Sequence, residues 1–433
     1  MEQEISGLIK QALEGSSDFE TLETLVRDTS LRIGAGILET MINSDKSDQQ
    51  PTFIHPDGTI MNYAGRKEKT FVTVLGDITL KRAFYIDGNG RGCFPRDKKL
   101  GLDNDSLSDG VKRIIGHTAS VLSFKESNLM IEKLASLHIS AKQVERASES
   151  LGGEIAKNEK SVVKEGIPCK RTMYLGMDGT GCPVRKKETE GRKGKQPDGS
   201  SKTREVKLAV TFSADSLDKN GIPTRDKGSV TYNAAIESAA TDDLDKNISD
   251  FACRLERETK RRGFDKAGRQ VILGDGAVWI WNIAGELFPN AVQIIDLYHA
   301  KGTISNTAKE IFGTESDFGK QWGKERRDDL EAGRIDTILD KLEPFLKTCK
   351  EADSCKKYLI KNEKRLNYPY FRKLGLCTSS GIVESGCRHV IGARVKQSGM
   401  HWTVQGANAI IALRCSKLSG RFDGFMTGRR ESA

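Results

Sequence analysis

Met173-Tyr174-Leu175-Gly176-Met177-Asp178 and Val271-Ile272-Leu273-Gly274-Asp275 are short apolar runs that each stop on a carboxylate followed by a glycine, Gly179 and Gly276. Short apolar runs bounded by turn residues read as strands buried on both faces, which belong in a sheet covered by helices. The surrounding residues extend the pattern. Strands are expected at 173–177, 206–212, 229–235, 271–274 and 292–296, with a helix from about Leu244 to Arg262. The two aspartates then end their strands. An Asp-Gly pair after a strand is also an ordinary turn signal, so each acid taken alone is either a turn former or a ligand.

Outward from this core, the residues after Ala300 have helical periodicity and high charge as far as about 376, and include Trp322 and Tyr368-Pro369-Tyr370-Phe371. Glu384 follows on a further helix, where it either pairs with Arg388 at i, i+4 or supplies a third oxygen donor. Upstream, helical spacing covers the first 50 residues. Alternating runs around Gly76-Asp77, a hairpin turn signal, form a small β module over 51–105. Helices return over 106–160, with Ser140 an N-cap candidate. The two helices around Leu137-His138-Ile139 are either a helix-turn-helix whose second helix, with Lys142 and Arg146, enters a DNA groove, or an ordinary helical hairpin. The expected organisation is therefore an N-terminal helical region (1–50), a β module (51–105), a helix-turn-helix-like region (106–160), an α/β core in two parts (168–300 and 377–425) and an all-helical insertion (301–376).

A chain of 433 residues with 30% charged and 37% hydrophobic residues has ample surface to bury and ordinary soluble composition. It has no apolar run of membrane-spanning length, and its start, Met1-Glu2-Gln3-Glu4-Ile5, does not read as a secretory signal. A cytoplasmic, nucleoid-associated protein is expected. The nine cysteines are scattered without a CxxC pair, so they read as reduced thiols and no zinc site is expected. The net charge of +9 is concentrated. Residues 185–207 hold nine basic and four acidic residues, and 388–421 hold six basic residues and no acidic one. These runs are either solvated faces or tracks for a phosphate backbone.

Four strings together resemble bacterial insertion-sequence transposases of the DDE type, most closely the ISKra branch: Tyr174-Leu175-Gly176-Met177-Asp178-Gly179, Leu273-Gly274-Asp275-Gly276-Ala277, Asp296-Leu297-Tyr298-His299-Ala300 and Gly381-Ile382-Val383-Glu384-Ser385. The likeness continues through Arg394-Val395-Lys396-Gln397-Ser398-Gly399-Met400-His401-Trp402 and covers roughly 60–420. Asp296 and His299 also resemble the acid-x-x-His motif of Mutator-like and hAT-like transposases. The resemblance implies a ribonuclease-H-like catalytic core, with Asp178, Asp275 and Glu384 as the catalytic, metal-holding residues. It implies two Mg²⁺ or Mn²⁺ ions, which suit such an all-oxygen donor set. Phosphodiester cleavage at element ends and strand transfer into target DNA would follow.

Asp296, His299, Arg388, Arg394, Lys396, His401 and Trp402 are expected to shape that site or hold DNA, and Lys186, Lys187, Arg192 and Lys193 to follow the backbone from a mobile loop. Core packing is the other reading of His299 and Trp402. The partners implied are double-stranded DNA, as terminal inverted repeats and target, and a second subunit, since two ends must be joined. A non-catalytic DNA-binding descendant and a ribonuclease-H-like nuclease without strand transfer are the competing readings.

Overall fold

The computed structural model describes residues 6–7, 10, 18–102, 105–161, 170–194, 196–219, 221, 223–239, 249–379 and 381–431. The chain divides into two compact units, Met1–Leu151 with Arg421–Ala433, and Gly152–Gly420.

In the first unit the long helix Phe19–Ser44 starts at Asp18, whose carboxylate accepts the Thr21 N–H at 2.9 Å. Ala35, Leu38 and Ile42 on one of its faces pack against Phe71, Ile78 and Leu80. Those residues belong to an antiparallel sheet in the order β1 (Thr52–Ile54), β2 (Ile60–Thr73), β3 (Gly76–Ile86), β4 (Gly92–Cys93). The β2–β3 turn is Val74-Leu75, two residues before the expected Gly76-Asp77, with Thr73 paired to Gly76. Gly76 opens β3 at φ +118, a conformation side chains avoid. The glycine thus marks the residue leaving the turn.

Helices Asp109–Ala119, Phe124–Ala135 and Ala141–Asn158 follow. Ser123 and Glu126 form a capping box on the second, and Ser140 with Gln143 makes the equivalent reciprocal bonds at the start of the third. Val111, Ile115, Ile131, Leu137 and Val144 build a core between them. The C-terminal helix Phe422–Glu431 returns to this unit, with Phe422 seated on Gly116, where a Cβ would stand 2.2 Å from the ring.

The second unit is mixed α/β around a five-stranded sheet in the order β11 (Val292–Ile295), β10 (Arg269–Gly274), β5 (Thr172–Pro183), β6 (Thr203–Ser213), β9 (Thr231–Ala235). β5, β6 and β9 are antiparallel, whereas β10 runs parallel to β5 and β11 parallel to β10. A hairpin of β7 (Ser216–Leu217) and β8 (Pro223–Thr224) lies outside this sheet. Tyr174, Leu175, Leu208, Val210, Val271, Ile272, Leu273 and Ile294 are fully buried, which is why these strands read as unbroken apolar runs.

Helix Asp250–Arg261, capped by Ser249, precedes β10, and Val278–Leu287 links β10 to β11. The expected start of the first of these, Leu244, lies outside the described residues. Among the described residues, five α-helices lie between β11 and the helix of Glu384: Leu297–Phe312, Asp317–Glu331, Ile335–Leu342, Lys350–Asn362 and Tyr368–Lys373. One expectation is corrected here. Asp178 does not end its strand, because β5 continues to Pro183 and pairs with β6 along its whole length. Pairing with β10 ends at Gly176. Beyond it β5 goes on beside β6, whose own pairing with β9 ends at Lys207, opposite Gly179, so that only Thr180–Pro183 form a two-stranded arm, with Cys182 and Val206 buried along it.

Candidate active site

The parallel register between β5 and β10 runs from Arg269 opposite Thr172 to Leu273 opposite Gly176. Two residues past that last pair stand Asp178 and Asp275, level in register and near enough for the Asp275 charge to act on Asp178. Asp178 is half-buried. Its Oδ1 accepts the Gly179 N–H at 2.6 Å and its Oδ2 accepts the Cys387 S–H at 3.2 Å. Burial raises its pKa, the bonds from Cys387 and Gly179 oppose that, the Asp275 charge raises it further and His299 lowers it. Two like-charged carboxylates in one partly desolvated place favour a cation between them.

Asp275 follows β10 directly, and its Oδ1 accepts the Ala277 N–H at 2.9 Å. Gly276 makes the turn at φ +103. The Tyr358 ring lies against it, with Cε2 2.8 Å from where a Cβ would stand. Position 276 therefore requires glycine for both conformation and space.

Glu384 lies on the helix Gly381–Gly386, which is seated directly on β5 and β6. A Cβ on Gly176 would stand 2.2 Å from Val383 Cγ2, and one on Gly386 would stand 2.9 Å from Leu208 Cδ2. Small residues on both sides thus bring this helix onto the strand that carries Asp178. Glu384 is exposed, and Cys387, three residues on, reaches Asp178. A π-helical turn, Cys387–Gly392, follows at once, the kind of local widening that often marks a functional site.

Among the described residues no group of three His, Cys, Asp or Glu side chains stands close enough to hold a metal ion. The arrangement is instead a pair of level aspartates with Glu384 on an adjoining helix. One or two carboxylates completed by water and phosphate oxygens is a common Mg²⁺ donor set, so the residues present fit such an ion.

Asp296 is buried and caps the helix Leu297–Phe312 by accepting the His299 N–H at 2.7 Å. Its own N–H donates to Gly274 O at 2.9 Å, tying this helix start to the end of β10. Asp296 thus positions His299, which is exposed and close enough to act on the charge of Asp178. Arg388 and His401 are exposed, and exposed Lys396 donates to Thr180 Oγ1, two residues beyond Asp178.

The expected basic and aromatic surface after Glu384 is corrected at two positions. Arg394 is completely buried and Trp402 nearly so. The Arg394 guanidinium lies 5.3 Å from the Trp402 ring centroid, and the indole N–H donates to Val395 O at 2.9 Å. These groups support the chain after the π-turn from inside, where no base or phosphate reaches them.

Lys186, Lys187, Arg192 and Lys193 are all exposed. Arg185 N–H donates to Trp402 O at 2.8 Å and Val184 bridges Trp402, so the two basic stretches meet beside the β5–β6 arm. In the other unit Lys142 and Arg146 are exposed, Lys142 paired with Glu145 at 2.9 Å.

Two neighbours of the aspartates were not singled out from sequence. Cys387 shares a helix face with Glu384, and that i, i+3 spacing was the available signal. Tyr358 carries no local signal. Its ring contact with Gly276 arises only from tertiary packing, and its buried hydroxyl has no hydrogen-bond partner among the described residues.

The model of an uncharacterised protein family, UPF0236, matches residues 16–430 of this chain. A UPF0236 protein in the vanSb 3′ region of Streptococcus gallolyticus is 20% identical over 374 residues, which span 83% of this chain and 74% of that protein. Among solved structures, the Drosophila P element transposase strand transfer complex aligns over 77% of this chain and 84% of its own at 12% identity and a TM-score of 0.27, too low to establish a common fold. No helix among the described residues is long and apolar enough to cross a membrane. With nearly its whole length matched, the chain belongs to the UPF0236 family.

Proposed function

We propose that this chain is a DNA transposase of the DDE type, from an ISKra-like insertion sequence, that cuts phosphodiesters at its element's ends and transfers the freed 3′-hydroxyl into target DNA. The observation that carries the reading is that Asp178, on β5, and Asp275, just after β10, each stand two residues past the last pair of these adjacent parallel strands, Gly176 and Leu273. The strand order supports a ribonuclease-H-like core, with the first acid on the first strand of the sheet and the second just beyond the fourth. The helices from Leu297 to Lys373 would be an insertion ahead of Glu384. The N-terminal helices and β module would read terminal inverted repeats, with Lys142 and Arg146 exposed on the second helix of a helix-turn-helix-like pair. Two joined ends require a dimer or larger assembly.

Asp178, Asp275 and Glu384 would hold two Mg²⁺ or Mn²⁺ ions, which when bound supply activation of the attacking oxygen and charge stabilisation at the leaving one. The chain's own residues do the rest. The Gly179 and Ala277 amides fix the two carboxylates in place, and exposed His299 and Lys396 flank them where a phosphate would lie. The exposed cations of 186–193 hold the backbone that leads to the site. In the first step a water oxygen bonds to phosphorus and the P–O3′ bond breaks, leaving a 3′-hydroxyl and a 5′-phosphate. In the second, that hydroxyl attacks a target phosphorus and displaces the target's own 3′-oxygen.

The test is incubation with labelled element ends in Mg²⁺ or EDTA, beside Asp275→Ala. Mg²⁺-dependent nicking at the element boundary, absent from a variant that still binds DNA, is the expected result. Nicking by Asp275→Ala would remove the assignment. Binding by the wild type with no nicking would identify a non-catalytic descendant.

A further inference from the structure

The helix Phe19–Ser44 carries a second apolar face besides the one against the sheet. Phe19, Val26, Ile37 and Met41 are 82%, 60%, 44% and 67% exposed, with Leu22 and Ile33 half-buried among them. At 100° per residue these six positions fall within an arc of about 100°. Their order is nearly palindromic about Ser30. Phe19 and Met41 lie eleven residues to either side, Leu22 and Ile37 eight and seven, Val26 and Ile33 four and three.

We infer that this face pairs antiparallel with the same face of a second copy of the chain, about a two-fold axis at Ser30. An interface of this kind requires a patch complementary to its own image, and the palindrome supplies it: Phe19 meets Met41, Leu22 meets Ile37, and Val26 meets Ile33. Ser30 suits the axis because its hydroxyl already donates to Val26 O at 2.8 Å, so burial leaves its hydrogen satisfied.

The patch widens on one side. Arg27 donates to Leu134 O, which brings up the helix Phe124–Ala135 with Met130 and Leu134 exposed at 41% and 68%. Counting ~150–200 Å² for each large apolar side chain when fully exposed, the patch amounts to on the order of 600 Å² per copy. That approaches the ~800 Å² per partner of a standard interface and stands at the upper end of the ~300–600 Å² that the largest apolar patch of a monomer covers.

The test uses the full chain without DNA, so its outcome is independent of the cleavage assay. Sedimentation velocity is expected to show a dimer. Val26→Glu combined with Ile37→Glu should weaken it roughly 100-fold or more while leaving the fold of the monomer, read by circular dichroism at 25 °C, unchanged, since neither side chain is buried. Ser30→Cys treated with diamide, which takes up the two thiol hydrogens as the disulfide forms, should yield a covalent dimer that the wild type does not match. If the double variant fails to fold, the Ser30→Cys cross-link alone decides. A monomer at every concentration, a dimer that survives the double substitution, or no cross-link at position 30 would overturn the proposal.

Discussion

Gly176→Ala tests whether close contact between β5 and the Glu384 helix holds the candidate site together. The new methyl would stand 2.2 Å from Val383 Cγ2 and 3.8 Å from Val210 O. Carbon atoms pack at about 3.5–4.0 Å, so the overlap with Val383 is roughly 1.5 Å. Val383 is 1% exposed and lies on a helix, where a β-branched side chain has one preferred rotamer. The helix itself must therefore move. Overpacking costs about 1–3 kcal/mol, and an overlap this large belongs to the upper part of that range, about 2–3 kcal/mol; less about 1 kcal/mol gained by removing a glycine from a strand, the net loss is about 1–2 kcal/mol. For a unit of this size that lowers Tm by about 2–8 °C, read by circular dichroism.

Gly179→Ala on the same strand is the control. Its methyl first meets the Glu205 side chain, Oε1 at 2.6 Å and Cδ at 3.1 Å, an exposed side chain that can swing away, so the expected loss is within about 0.5 kcal/mol. A Gly176→Ala protein that melts at or above the wild-type temperature, or no lower than Gly179→Ala, would refute the reasoning.

Tyr358→Phe should stabilise the protein by about 1 kcal/mol, because it removes a buried hydroxyl with no partner among the described residues while keeping the ring against Gly276; urea unfolding reads the difference, and a loss of stability would mean that the hydroxyl is bonded. Asp226→Asn should cost stability that depends on pH. Burial pushes this carboxyl up, but bonds from Ser213, Ser216 and the Asp215 N–H outweigh it and bring the pKa from 3.8 down to about 2. A folded pKa below the unfolded one gives stability that is present above about pH 4 and lost as pH falls through about 2. Discounted for solvent around this partly exposed group, the gap to wild type should be about 1 kcal/mol at pH 7 and close near pH 2; a gap constant with pH would contradict the assignment.

The sheet was legible because strands buried on both faces leave long apolar words such as Val271-Ile272-Leu273, and the helices because their apolar spacing repeats with the turn. The end of β5 was misjudged at Asp178, since Asp178-Gly179-Thr180-Gly181 holds no large apolar side chain and the strand continues there through its pairing with β6. Gly76 signalled a positive φ and not the centre of its turn. That Asp178 and Asp275 come level could not be read, because strand order and register are set by pairings between segments far apart in the chain. Arg394 and Trp402 show the converse limit: a cation beside an aromatic spells a DNA-binding surface and a buried stack alike, and only burial separates them. The meeting of the two basic stretches at Trp402 likewise rests on a backbone bridge that no local pattern announces.

The central claim, that Asp178 and Asp275 form one divalent-cation site, is tested most directly by titrating Mn²⁺ into wild type, Asp178→Asn and Asp275→Asn and following free Mn²⁺ by electron paramagnetic resonance. Saturable binding by the wild type that each substitution weakens at least roughly tenfold is the predicted result. Equal affinity in all three proteins would contradict it.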